Sequence, residues 1–291
     1  MSLPTKTGDL TIRMLKTTDD YHQAEAVQRA AWSIQDDTEV VPLHVLLTAQ
    51  KHGGLVLGAF DEAGEMVGFL FGFLGRAIDG RWKHCSHMMG IVPGQARRGV
   101  GGMLKRRQRE FALNQGLDLI TWTYDPLEGV NAMLNFGKLG VVCRTYIRNL
   151  YGDMADDLNQ GLPSDRFEVE WWIPSRHVRE RLQAGRKVYR LEALAESGAQ
   201  VVNPTGLKEG LRLPGEANLQ LDAPRLLVEA PADIQAIKNA SMTLAQDWRL
   251  QTRTIFEAYF QAGYWAADFF SEQTGEERRN FYLLCRSVPG L

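Results

Sequence analysis

Cysteine is scarce. Cys85, Cys143 and Cys285 are isolated thiols, odd in number and without C-x-x-C spacing, which argues against a disulfide framework or a structural zinc site and fits a reducing cytoplasm. An excess of one charge is also missing. With 33 basic and 35 acidic residues the formal net charge is -2, so there is no broad basic field for nucleic acid and no polybasic membrane anchor. Long hydrophobic runs are absent as well: the greasiest stretch, "LVLGAFDEAGEMVGFLFGFLG", is broken by Asp61, Glu62 and Glu65 and cannot span a bilayer. Met1 to Asp20 is polar and lacks the apolar core of a secretory leader. No low-complexity tract and no residue-level repeat is visible. What is present, 44% apolar and 23% charged residues over 291 positions, is a globular composition with room for one large domain or two small ones.

Periodicity and end signals divide the chain into elements. "LTIRML" reads as a strand, and "TTDDYHQAEAVQRAAW" follows as a helix opened by capping residues. A second helix follows Pro42 and stops at Gly53-Gly54. The greasy stretch is a hairpin with its turn at Asp61 to Gly64. "KHCSHMMGIV" is a fourth strand, Val100 to Asn114 a helix with Val100, Leu104 and Phe111 near one face, and "LDLITWTY" a buried strand. A helix opens with Asp125 as N-cap and Pro126 at its first position. "VVCRTYIRNLYG" and "RFEVEWWI" close the unit as a strand pair. Leu10 to about Pro174 is therefore β-α-α-β-β-β-α-β-α-β-β, and the boundary is expected after Pro174, giving domains 1–174 and 175–291. The C-terminal region carries a strand, one or two helices and a hairpin, an order that echoes the opening of the first unit as a degenerate half-repeat would. Its aromatics Trp248, Phe256 and Tyr259, with Ile255, read as core, and Arg249 and Arg253 as solvent-facing.

The most informative stretch is "IVPGQARRGVGGMLKRRQRE", Ile91 to Glu110. A Walker loop needs Lys after its second Gly, and here Val100 follows Gly99. A dinucleotide fingerprint needs a third Gly where Leu104 stands, and it opens the first βα unit, not the one after a fourth strand. The pattern that fits is R/Q-x-x-G-x-G/A after a strand ending V-x-P. There, consecutive amides of Arg97 to Gly102 at a helix N-terminus can cradle a pyrophosphate, glycines let it approach, and Arg97 and Arg98 add positive charge. "KRRQRE" alone reads as a solvated basic face.

On these residues the chain resembles the GNAT superfamily of acyl-CoA-dependent N-acyltransferases, over about Leu10 to Pro174. "GIVP" with "RRGVGG" is similar to the family's coenzyme A pyrophosphate loop. "NAMLNFGKLGVV" is similar to its N-x-x-A-x-x-x-Y-x-x-x-G-F helix, with Ala132 and Gly140 in register. Within the superfamily the chain is most similar to a group of acetyltransferases with an additional C-terminal region. Three positions depart: Ala96 where Arg or Gln is usual, with Gln95 one place early; Gly129 at the helix Asn, with Asn131 close by; and Phe136 at the Tyr that often protonates the departing thiolate.

The resemblance implies an α/β (α+β) fold, a mixed, mostly antiparallel twisted sheet flanked by helices, with a smaller α+β C-terminal region. It also implies direct attack of an amine on acetyl-CoA, or another acyl-CoA, in a ternary complex. Gly90, Ile91 and Val92 would pair with the pantetheine, Arg97, Arg98, Gly99, Val100, Gly101 and Gly102 would hold the pyrophosphate, and Asn131 and Phe136 would line the cofactor. No metal is called for. An alkylamine of pKa near ~10.4 is neutral only about one part in 2,500 at pH 7, roughly 4.6 kcal/mol, whereas protonating a thiolate of pKa ~8.5 matters by about 2 kcal/mol. A base therefore counts for more than the missing acid. By alternation His87 lies with Cys85, Met89 and Ile91 on one side of the fourth strand, and it resembles a relay histidine of aralkylamine acetyltransferases. It is a base or a hydrogen-bonded structural residue, and His84 is the weaker candidate. Tyr124 is a substitute acid or a packing residue. The acceptor is a small-molecule or peptide amine, with no nucleic acid and no membrane involved. The alternative is a non-catalytic acyl-CoA-binding module whose C-terminal region is an effector or homodimer surface.

Overall fold

The computed structural model describes residues 5–7, 9–34, 36–95, 98–154, 159–275 and 277–291. It divides into two compact units, the first running through Trp122 and the second from Thr123 to Leu291. The boundary expected after Pro174 thus falls inside the second unit.

The first unit is built from β1 (Thr5–Thr7), β2 (Leu10–Met14), α1 (Thr18–Trp32), α2 (Leu43–Lys51), β3 (Leu55–Phe60), β4 (Met66–Arg76), β5 (Trp82–Ile91), α3 (Val100–Asn114) and β6 (Leu119–Tyr124), whose last two residues belong to the second unit. β1 was not legible in the sequence. Helix α1 starts in a capping box: Thr17 accepts from the Asp20 amide, and Asp20 accepts from the Thr17 amide. The sheet order is β1-β2-β3-β4-β5-β6. It is antiparallel from β1 to β5 and turns parallel at β5–β6. Apolar side chains fill both faces. Tyr21, Ala24 and Val27 of α1 and Leu46 of α2 pack on Val56, Phe69 and Phe71. On the other face Val100 and Leu104 of α3 pack on Leu55, Leu57 and Leu70. Each fully buried Val, Leu or Phe side chain among them contributes ~1.5–3 kcal/mol.

The second unit contains α4 (Gly129–Ala132), which continues as a π-helical segment Met133–Leu139, then β7 (Val142–Ile147), β8 (Arg166–Trp172), α5 (Arg176–Ala184), α6 (Leu191–Glu196), β9 (Gln200–Val201), the hairpin β10 (Thr205–Lys208) and β11 (Leu211–Pro214), β12 (Arg225–Ala230), α7 (Ile234–Ala240), α8 (Met242–Gln261), β13 (Trp265–Thr274) and β14 (Glu277–Cys285). Its sheet order is β8-β7-β13-β14-β12-β9. The helix expected to open at Asp125 starts at Gly129; Asp125 instead caps the preceding turn, accepting from the Leu127 amide at 2.8 Å. The echo of the first unit's opening extends to element order but not to pairing: β2 joins β3, whereas β12 joins β14, the last strand of its series. The fold is a mixed, mostly antiparallel sheet flanked by helices. Among the described residues no helix is long and apolar enough to cross a membrane.

Candidate functional site

The strand–turn–helix forms as the glycines dictate. β5 ends at Ile91, and α3 starts after Gly99, an N-cap in the left-handed region at φ 76° with no side chain capping the helix. Among the described residues, the first-turn amides of Val100, Gly101 and Gly102 therefore have neither an intrahelical acceptor nor a side-chain cap. A Cβ added at Gly99 or Gly102 would meet nothing within 4 Å, so the turn is open where a phosphate would approach, while Gly101 is buried. Arg97 and Ala96 lie outside the described residues. Arg98 departs from the expected role: its amide donates to Gln95 O at 3.1 Å, and its guanidinium is held by Gln95 at 2.8 Å and by the Asp9 carboxylate. Among the described residues, what the turn could offer an anion is backbone amides, with the Arg98 guanidinium turned to Gln95 and Asp9.

Upstream, β5 carries a bulge. Phe71 pairs with Met88 and Gly72 with Ser86, leaving His87 as the extra residue. The bulge resets the alternation. His87 faces Phe71 and Phe73, its ring 5.7 and 5.9 Å from theirs, whereas Met89 and Ile91 pack with Val100 and Leu104 under α3. His87 and Met89 therefore do not share a face, contrary to simple alternation. His87 is exposed on one side, and its partial burial against the two rings lowers its pKa, keeping the imidazole neutral near pH 7. His84 is fully buried, edge-on to Phe111, with neither ring nitrogen hydrogen-bonded. Burial first, then the neighbouring Lys105 charge, lowers its pKa to about 4. A Cβ at Gly72 would sit 2.3 Å from His84 Nε2, so only glycine leaves the ring room.

"KRRQRE" is not wholly a solvated face. Lys105 is only 2% exposed. Its ammonium donates to Ser86 Oγ at 2.8 Å and Gln108 Oε1 at 3.2 Å and lies 3.5 Å over the Trp122 ring. Burial holds its pKa well below 10.5. Its place on the buried stripe was available in the sequence, four residues after Gly101 and one after Leu104, but the basic run concealed it.

The expected residues of the second unit lie in an aromatic core. Phe136 is fully buried, 5.6 Å from Tyr282 and 6.4 Å from Tyr124. Tyr282 OH donates to Pro126 O at 2.7 Å, so the 2.8 Å bond between the two hydroxyls carries the Tyr124 proton inward. Burial first, with Tyr282, raises the Tyr124 pKa well above 10. Asn131 is exposed on α4. Gly129 has no room for a side chain, since a Cβ there would lie 2.6 Å from Asn280 Nδ2. Arg249 and Arg253 do not face solvent: Arg249 is fully buried against Asp125, and Arg253 grips Asp165 at 2.8 and 2.9 Å. Tyr282 and Asn280 were missed because a distant hairpin brings them in. Among the described residues no cluster of His, Cys, Asp or Glu is arranged to hold a metal.

No protein-family model matches the sequence, and no curated relative does. Solved structures similar to part of it include the ribosomal-protein-S18-alanine N-acetyltransferase of Escherichia coli, 18% identical over 56% of this chain and 94% of that one, TM-score 0.44. The yncA protein of Salmonella typhimurium with its cofactor acetyl-CoA is 17% identical over 57% and 95%, TM-score 0.45. An acetyltransferase of the GNAT family from Streptococcus pneumoniae is 17% identical over 55% and 97%, TM-score 0.45.

Proposed function

We propose that this chain, which carries a GNAT-type fold through its β-α-α-β-β-β-α-β series and parallel β5–β6 pair, is an acyl-CoA-dependent N-acyltransferase acting on an amine. The observation that carries the reading is the β5–α3 turn: a left-handed Gly99, uncapped amides at Val100 to Gly102, and open space over Gly99 and Gly102. A pyrophosphate is the ligand such a turn suits, because backbone donors and the helix dipole converge on one anion. In this reading the β5 amides from Gly90 to Val92 pair with the pantetheine, and an amide near Met89 to Ile91 polarises the thioester carbonyl. His87, neutral near pH 7 and open on one side, assists removal of the amine proton.

The second reading, an acyl-CoA-binding module without turnover, is favoured by one observation. Phe136 occupies the acid position in a closed core, and Tyr124 spends its proton on Tyr282. Steady release of CoASH with some amine separates the two.

The binding test comes first. Acetyl-CoA at about 100 times its dissociation constant should stabilise the fold by roughly 2.7 kcal/mol, read as a rise in melting temperature, and NADH should not. Gly102→Glu should abolish the rise without moving the ligand-free melting temperature, because its Cβ meets open space and its carboxylate takes the anion's place. A shift with NADH and none with acetyl-CoA would sink the reading.

A further inference from the structure

β5 and β6 pair at only two positions, His84 with Ile120 and Cys85 with Thr121. The next residue on each strand, Ser86 and Trp122, is where Lys105 reaches the sheet, donating to one and lying over the other. β5 then continues to Ile91 and the glycine turn. A chain-like ligand anchored by its pyrophosphate at that turn and running back along β5 brings its reactive end toward the point where the strands close. Lys105 stands there with no carboxylate beside it: among the described residues its partners are Ser86, Gln108 and Trp122. A buried ammonium without a counter-charge opposes folding, and a methionine would fill the same space without that penalty.

We propose that Lys105 and Ser86 supply the proton that leaves with the CoA thiolate, a role that rests on the acyl-transfer reading and stands in for the tyrosine absent at position 136. As the acceptor nitrogen bonds to the thioester carbon, the C–S bond breaks. The sulfur takes the Ser86 hydroxyl proton, Ser86 takes one from the Lys105 ammonium, and after CoASH leaves, a proton equal to the one given up by the acceptor nitrogen returns to the lysine from water through Ser86. Ser86 is the residue that meets the sulfur; Lys105 acts through it. The titratable groups facing Lys105 are His84 and Cys85 of β5, while Gln108 of α3 and Trp122 of β6 do not titrate. Burial lowers the lysine's pKa, which favours its giving up a proton, and keeps His84 neutral.

The test titrates CoASH bound to the intact protein, following thiolate absorbance in the ultraviolet, with acetyl-CoA melting shifts run in parallel. In the wild type the bound thiol should ionise about one pH unit or more below free CoASH, as expected beside an opposite charge. Lys105→Met should return it to the free value while the acetyl-CoA melting shift persists. Ser86→Ala, which keeps the lysine, should lose part of this lowering of the thiol's ionisation pH. If the bound thiol titrates like free CoASH, or the lowering survives Lys105→Met, the inference falls and the binding reading stands. If the wild type binds no CoASH, both fall. Should Lys105→Met not fold, the wild type against free CoASH and Ser86→Ala decide the matter.

Discussion

His84 shows how one side chain sets a pH limit. Its ring is fully buried with no hydrogen-bond partner, and its folded pKa of about 4 lies below the reference value of 6.5. Above 6.5 both folded and unfolded forms are neutral and the fold keeps its full stability; as pH falls through 6.5 toward 4 the unfolded chain takes the proton first, and stability drops, by on the order of 3 kcal/mol. His84→Leu should flatten that acid limb in urea unfolding compared at pH 7 and pH 4.5. An unchanged limb would move the cause elsewhere. Asp20 titrates in a separate window. Its hydrogen bonds from Arg13, at 2.7 and 2.8 Å, hold its pKa down to about 2, so its contribution is full above 3.8 and is lost only as pH falls through 2. His84 was visible in the sequence as a strand histidine. Its lack of a partner was not, because that depends on what α3 and β4 place around it.

At the scale of elements, the π-helical segment Met133–Leu139 is the least ordinary piece of backbone. The last carbonyls of a helix have no intrahelical partner, and three at the end of this one are taken up by side chains. Arg181 donates to the carbonyls of Phe136 and Gly137 at 2.9 and 3.0 Å, and Trp171 Nε1 to Leu139 at 2.8 Å. Arg181 is itself buried and paired with Asp268 at 2.9 and 2.6 Å. Arg181→Met should therefore destabilise the second unit by ~3–5 kcal/mol, since it leaves a buried carboxylate unpaired. Adding Asp268→Leu should recover much of that in urea unfolding; a double variant as weak as the single would place the loss in the freed carbonyls instead. The sequence showed a helix ending at Gly140, which the structure has, left-handed at φ 72°. It did not show the π turns, because the arginine that satisfies them comes from α5.

At the scale of the whole chain, sequence and structure divide the molecule at different points. Motif and element order end one unit near Pro174; compactness divides the chain at Trp122. The difference lies in the second unit's core. Phe167 of β8 packs on Phe256 at 4.7 Å and on Tyr282 at 5.5 Å, Cys143 of β7 pairs with Ala266 of β13, and Tyr146 with Arg253 holds the buried Asp165. A fragment ending at Pro174 loses α8, β13 and β14 and leaves these groups open to water. The first unit keeps its own core in that fragment, so residues 123–174 are the part that should fail: limited proteolysis should cut them in the fragment and spare them in the full chain. Protection of 123–174 in the fragment would restore the motif boundary as a folding boundary.

Local signals were enough for whatever depends on near neighbours in the chain. The capping residues of α1, the apolar stripe of α3 and the glycine turn before it all follow from dihedral preference and burial within a few residues, and the sequence by itself determined them. The fold class was legible too, through motifs that resemble those of a known family. Only the tertiary structure decided which way His87 points, since the bulge forms between two strands; that Lys105 is buried, since β5 and β6 supply its neighbours; and that Phe136 and Tyr124 lie beneath Tyr282 and Gly129 against Asn280, since β14 is more than a hundred residues away in the chain. Each of these is a contact between distant segments, and its energy comes from surfaces that no local stretch contains.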